Sequence, residues 1–257
     1  MTLILALKCK DGVILASDGQ ATGISSGGPI RQRCKKIHKI AENVLLAASG
    51  SVGVIQRCRD AIRELARLIP KGGLDTPIPI KDKRSEGKMI DIFLRDKIRD
   101  VILRINKVEI ERYKTFHGER KGPLPLADII LVFYDPKERR FRIWHVGPDG
   151  GEEFLDELGY GCSGIGDTFA HAYLKNFYDE GINVEMGKLI AYRVIKEAIE
   201  VGAYGLGEPI DIWVLKEENG KITTYELSED ELMGLEDSYH TWKEGERKIF
   251  KNLWSST

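Results

Sequence analysis

Two apolar runs, residues 3–9 and 13–17, stand at the head of this chain with only Lys10-Asp11-Gly12 between them. An Asp-Gly pair between two such runs is among the strongest short-range hairpin signals, since both residues tolerate the positive φ of a tight turn. The first eighteen residues therefore predict an antiparallel strand pair. The hairpin ends in Asp18-Gly19-Gln20-Ala21-Thr22, followed by a Gly/Ser-rich loop over 23–29, a strand over 36–40, a turn at Ala41-Glu42-Asn43 and an apolar strand over 44–48 that stops at Ser49-Gly50.

From 52 to 68 the period changes, with Ile55, Ile62, Leu65 and Ile69 at helical spacing. Residues 70–88, rich in Pro, Gly and charge, predict a long exposed connection. A second helix carries Leu94, Ile98, Val101, Ile105 and Val108, a stripe that core packing alone explains. A broken loop over 117–125 precedes strands over 126–134 and 140–146, which turn at Asp135-Pro136. Helices over 166–178 and 184–201 follow, the latter with Met186, Leu189, Ile190, Val194 and Ala198 on one side. Strands over 210–216 and 222–227 close through Asn219-Gly220, and the tail from Ser228 is charged with Trp242, Phe250 and Trp254 interspersed. Blocks of strands and helices segregated in this way predict an α+β fold of antiparallel sheets covered by helices, not a doubly wound parallel sheet.

Charge is balanced, 39 Lys+Arg against 40 Asp+Glu, which gives none of the basic excess of a nucleic-acid or acidic-membrane binder. The longest uncharged apolar stretch, 44–55, is too short for a bilayer span and is broken by Gly50 and Gly53. Lys8 and Lys10 interrupt the N-terminal apolar run and no basic segment precedes it, so a signal peptide is not expected and the expected location is cytoplasmic. Cys9, Cys34, Cys58 and Cys162 form no C-x-x-C pair and have no His at metal-ligand spacing, so buried free thiols and no metal are expected. Glutamine occurs only at positions 20, 32 and 56 while Lys, Glu and Arg abound, a hyperthermophilic lean, and in such a cell a disulfide stays open. His38, His117, His145, His171 and His240 show no paired spacing and read as structural or surface residues. The run GCSGIG lacks the lysine of a phosphate loop, and no cofactor is expected.

Chemistry enters at position 2. Removal of Met1 would give Thr2 both a hydroxyl nucleophile and an adjacent free amine able to act as its base. An α-amine titrates near 8, so a good share is free base at neutral pH. A nearby ammonium favours the neutral amine and stabilises developing alkoxide, and a carboxylate keeps that ammonium charged and oriented. Taken singly each residue has a plain reading: Thr after Met is common, Asp before Gly is a turn residue, and Lys36 is a surface lysine.

The segments KDGVILASDGQAT, KKIHKI and LLAASGSVG, in this order of elements, resemble proteasome β-type subunits, and DGQAT is especially similar to the bacterial HslV peptidase. The likeness is strong over 2–56, fair over 126–216 and weak at 70–88 and in the tail. It implies a four-layer αββα sandwich of two antiparallel sheets between helix layers, the fold of N-terminal-nucleophile hydrolases, over 1–227, with an insertion at about 70–88 and a charged C-terminal extension, 228–257. By motif, Thr2 takes the place of the nucleophile, Asp18 that of the acid beside it and Lys36 that of the active-site lysine. Gly50 takes the place of an oxyanion-holding backbone N–H, and Ala48 that of the floor of the pocket for the residue before the scissile bond. The implied activity is peptide-bond cleavage through an acyl-enzyme at Thr2, on peptides or unfolded chains, within a homo-oligomer able to form rings.

The chain departs from the family where it places Ile165, Ala203 and Leu206 at positions that usually hold polar residues bonded to the nucleophile's amine. Ser163 and Asp167 are the candidates to substitute for them. Two alternatives follow: a catalytically silent proteasome-like scaffold, and a connectase-like ligase that passes the acyl group to another peptide's amine.

Overall fold

The computed structural model describes residues 2–25, 28–67, 77–81, 89–118, 124, 126–202 and 205–255, with the backbone alone for those within 23–30 and 77–93. The head of the chain forms β1 (Leu3–Cys9), β2 (Gly12–Asp18), β3 (Gln20–Ser25), β4 (Gly28–Arg33), β5 (Ile37–Ala41) and β6 (Val44–Gly50), then α1 (Val52–Ala66). β7 (Pro77–Lys81) and β8 (Met89–Phe93) lead into α2 (Leu94–His117). β9 (Ala127–Asp135), β10 (Arg140–Val146), β11 (Glu152–Phe154) and β12 (Tyr160–Gly164) precede α3 (Asp167–Phe177) and α4 (Val184–Val201). The chain then runs through β13 (Ile210–Glu218), β14 (Lys221–Glu226) and α5 (Glu229–Ser255).

Two five-stranded antiparallel sheets result, ordered β12-β1-β2-β13-β14 and β11-β10-β9-β6-β5. Their strands are apolar throughout because both faces are covered, and the period of two sends alternate residues to different cores. In β1, Leu3, Leu5 and Leu7 pack with α3 and α4, while Ile4 and Ala6 enter the layer between the sheets. In β2, Ile14 and Ala16 take the helix side and Val13 and Leu15 the inter-sheet side. In β6, Val44, Leu46 and Ala48 pack against α1 and α2, and Leu45 and Ala47 face inward. Helices, sheet, sheet and helices therefore stack in four layers, the α+β architecture expected.

Local differences from the sequence reading have physical causes. Of the loop expected over 23–29, residues 23–25 and 28–29 belong to a β3–β4 ribbon paired from Gln20↔Arg33 to Ser25↔Gly28, whose backbone groups satisfy each other, and residues 26 and 27 lie outside the described residues. Within the connection expected at 70–88, Pro77–Lys81 pairs with Met89–Phe93, and the rest lies outside the described residues. The buried face of α2 holds Leu94, Ile98, Ile102, Asn106 and Glu109, so Val101 is turned aside and Val108 is exposed. Polar anchors set that face: Asn106 Nδ2 donates to the Ala127 carbonyl at 3.0 Å, the Ala127 N–H donates to Asn106 Oδ1 at 2.9 Å, and Glu109 holds Arg57 at 2.6 Å. α4 has the predicted bounds, capped by Asn183 accepting from the Met186 N–H and ended by Gly202 at φ 67°, but Met186 faces solvent.

The charged tail is a 27-residue helix docked on α4. Buried Arg193 donates to both carboxylate oxygens of Glu246 at 2.8 and 2.6 Å and lies 4.1 Å from the Trp242 ring centroid, while Tyr239 is fully buried. All four cysteines are free thiols; Cys9 and Cys58 are buried, Cys34 and Cys162 half-buried. Among the described residues no helix is long and apolar enough to cross a membrane.

Candidate active site

Hairpin arithmetic sets the first part of the site. The register of β1 with β2 runs from Ile4↔Ser17 to Cys9↔Gly12, so the next pair outward brings Leu3 to Asp18 and Thr2 just beyond it. The Leu3 N–H donates to Asp18 Oδ1 at 2.9 Å. Asp18 is fully buried and accepts three further donors: Lys36 Nζ at 2.5 Å to Oδ1, and the Gln20 and Gly207 N–H groups at 3.3 Å each to Oδ2. Four donors thus converge on one buried carboxylate.

Lys36 precedes β5 and is 5% exposed. Burial draws its pKa below the usual lysine value, and the Asp18 charge and hydrogen bond pull it back up. Thr2 is 9% exposed and, with Lys36, Ala48 and Gly50, lines one cleft of about 560 Å³ counted out to its mouth. All five sequence-derived candidates are thus at one place: four line the cleft, and Asp18 supports it from behind through Lys36. Gly50 has φ +116°, and a Cβ there would stand 1.9 Å from the Leu126 carbonyl oxygen, so only glycine fits this end of β6. Gly164 plays the same part opposite: its φ is +105° and a Cβ would meet the Thr2 carbonyl oxygen at 2.1 Å.

The departures are visible as well. Ile165 is exposed, and Leu206 is packed in the core of α3 and α4; neither offers a polar group. Ala203 lies outside the described residues. Asp167 accepts from the N–H and hydroxyl of its neighbour Thr168.

Ser163 belongs to a polar chain that sequence reading missed. Its hydroxyl donates to Asp128 Oδ2 at 2.5 Å and lies 2.7 Å from Ser49 Oγ, and Asp128 Oδ1 is 2.6 Å from His145 Nε2. The hydrogen bond to Asp128 raises the pKa of His145, against burial. The chain runs from the surface to Ser49, next to Gly50, so it braces the back of the cleft. Its members come from β6, β9, β10 and β12; sequence had singled out Ser163 only as a substitute partner for the Thr2 amine, and Asp128 and His145 carried no signal.

Comparison with known proteins agrees with this geometry. The family model described as "Proteasome subunit" matches residues 2–83. Among curated relatives, a proteasome subunit beta of Methanocaldococcus vulcanius is 28% identical over 254 residues, covering 98% of this chain and 97% of the relative. The chain is thus similar to proteasome β-type subunits over nearly its whole length. A proteasome subunit beta of Methanococcus vannielii is 29% identical over 208 residues, 79% of this chain and 78% of the relative. The proteasome subunit beta 2 of Nitrosopumilus maritimus is 28% identical over 228 residues, 88% of this chain and 90% of the relative. Family and site thus meet on the β1–β2 hairpin and on Lys36, both within the matched segment.

Proposed function

We propose that the chain is an N-terminal threonine hydrolase that cleaves peptide bonds after removal of Met1. The observation that carries this reading is the cleft shared by Thr2 and Lys36, with the ammonium bonded to the buried Asp18 carboxylate. The freed α-amine of Thr2 takes the proton from its own Oγ1 as that oxygen attacks the peptide carbonyl carbon. The tetrahedral oxyanion forms beside Gly50, where a backbone donor is worth roughly 2.7–4 kcal/mol. The α-ammonium then gives its proton to the leaving amine, the C–N bond breaks, and the acyl group remains as an ester on Thr2. Water, deprotonated by the same amine, resolves the ester and restores the enzyme. Lys36 stabilises negative charge at Oγ1 and favours the neutral amine. Residues 1–227 form the catalytic unit in this reading, 228–257 an extension, and copies assemble into a homo-oligomer around peptide or unfolded substrates.

A silent scaffold is the second reading, favoured by the apolar side chains of Ile165 and Leu206 at positions that usually hold polar ones. One experiment separates the two. Met-processed protein is incubated with a threonine-directed lactone or epoxyketone and weighed intact. A single adduct, absent in Thr2→Ala and formed at least about 100-fold more slowly in Lys36→Met, supports the hydrolase; no adduct supports the scaffold. Products formed with and without an added amine peptide then distinguish hydrolysis from ligation.

A further inference from the structure

Beyond Thr2 the cleft continues along α1. Val52, Ile55, Gln56 and Arg59 line it, at i, i+3, i+4 and i+7, which is one face of the helix. The face buried against the sheet is a different one, Val54, Cys58, Ile62 and Ala66. Arg59 stands seven residues from Val52, about 10 Å along the axis at the rise of an α-helix. The cleft therefore runs from Gly50 past small or apolar walls, Ala48 and Ile55, to a guanidinium.

The charges around it are of one sign. Lys35, Lys36 and Arg59 all line the cleft, and among the described residues no carboxylate does. Each cation has its counter-charge outside the lining: Glu226 on Lys35, Asp18 on Lys36 and Asp60 on Arg59. The Lys36 charge is engaged by buried Asp18, and Lys35 is held by both oxygens of Glu226 at 3.0 Å. Arg59 is held less completely. Asp60 Oδ1 takes Nε and Nη2 at 2.8 Å, and Nη1 donates to no described residue. A guanidinium with donors left over, at the end of a short apolar passage, is built to take a carboxylate, with geometric as well as Coulombic selectivity. His38, also in the lining, senses the same field: burial first, then Arg59, Arg63 and Lys35, push its pKa down to about 4, which leaves it neutral at physiological pH.

We propose that this cleft selects peptides carrying an acidic side chain at the residue it receives, with Arg59 as the specificity-determining group. That this residue is the one before the bond cut rests on the hydrolase reading; the selectivity of the cleft does not.

The test uses the Thr2→Ala protein and fluorescent peptides, amidated at the C-terminus and identical except for Glu, Gln or Lys at one position, read by anisotropy. The Glu peptide should bind at least roughly tenfold tighter than its Gln isostere, the lower range for a hydrogen bond to a charged group. Arg59→Gln should erase that ratio, with added salt shrinking it in the parent. Gln56→Glu, a second change on the same exposed face, should weaken the Glu peptide alone and guards against a folding artefact at Arg59. Equal binding of Glu and Gln peptides, or a preference that survives Arg59→Gln, overturns the proposal. So does a Gln peptide with a free C-terminal carboxylate that matches the Glu peptide, since the terminus would then be the ligand. The same peptides are also offered to Met-processed Thr2 protein. Selective binding without cleavage of any peptide sinks the hydrolase reading and leaves the selectivity standing; cleavage of all three at equal rate, unaltered by Arg59→Gln, does the reverse.

Discussion

Replacing Asp18 by Asn should destabilise the protein far more than replacing Lys36 by Met, although the two partners share one bond. Asp18 accepts from Lys36 Nζ and the Leu3 N–H at Oδ1, and from the Gln20 and Gly207 N–H groups at Oδ2. Asparagine keeps one acceptor and turns the other into a donor. In either orientation a pair of donors then faces an NH₂ group, and a buried ammonium loses its anion. Breaking a buried ion pair this way costs about 3–5 kcal/mol, or roughly 6–20 °C in Tm for a chain of this size at about 2–4 °C per kcal/mol. Lys36→Met removes the cation but leaves the carboxylate three backbone donors, so its cost should be nearer about 1.5–3 kcal/mol, that of one hydrogen bond to a charged group. The double variant should be more stable than Asp18→Asn alone, because no uncompensated ammonium remains. Urea or thermal unfolding of the four proteins measures all of this. If Lys36→Met costs as much as Asp18→Asn, or the double variant is the least stable of the four, then Asp18 is not the hub its hydrogen bonds indicate.

Other expectations follow from individual contacts. His38 has its pKa lowered on folding to about 4, from an ordinary 6.5, by burial and then by Arg59 and Arg63; the unfolded chain binds the proton more tightly, so this contribution to stability is present above pH 6.5 and is lost as pH falls toward 4. His38→Gln should flatten that part of the stability–pH curve measured by urea unfolding. His145 has the opposite sign: Asp128 raises its pKa, so its contribution is full below pH 6.5 and fades as pH rises through the folded value, and Asp128→Asn should remove that dependence. Gly164→Ala must displace Thr2, since its Cβ would stand 2.1 Å from the Thr2 carbonyl oxygen at φ +105°; labelling by the threonine probe should fall at least about tenfold while the helical circular dichroism is retained, a 1 Å misplacement being enough for such a loss. Asn106→Ala should cost about 2 kcal/mol or more in unfolding experiments, because it orphans both the N–H and the carbonyl of Ala127.

How much of this was legible in the chain depends on how far each interaction reaches. The opening hairpin was, and with it half of the site: once the turn at Lys10-Asp11 sets Cys9 opposite Gly12, counting residues brings Leu3 opposite Asp18, and Thr2 just beyond it. The closing hairpin was equally local, its turn made by Asn219 and Gly220 at φ 53° and 74°. So was α4, with a polar cap at one end and a left-handed glycine at the other. β12 was not, because Tyr160-Gly161-Cys162-Ser163-Gly164 has little strand preference of its own; it becomes a strand by pairing with β1. Nor was α5, whose charged surface hides its one fully buried residue, Tyr239, and whose anchor, Arg193, lies on another helix.

The same division runs through the site. Thr2, Asp18, Lys36, Ala48 and Gly50 were marked by their motifs before any fold was known; Gly50 was marked for its backbone N–H, whereas its φ of +116° and the nearness of the Leu126 carbonyl came only with the structure. That Ser49, Ser163, Asp128 and His145 form one hydrogen-bonded chain, and that Arg59 borders the cleft rather than open solvent, was decided by the packing of the two sheets against each other and of α1 on the second. Sequence determines what a residue can do and which neighbours a short turn delivers to it. Which distant groups share its low-dielectric surroundings is fixed only when the layers close, because that choice is made by the summed burial of many side chains and not by any one of them.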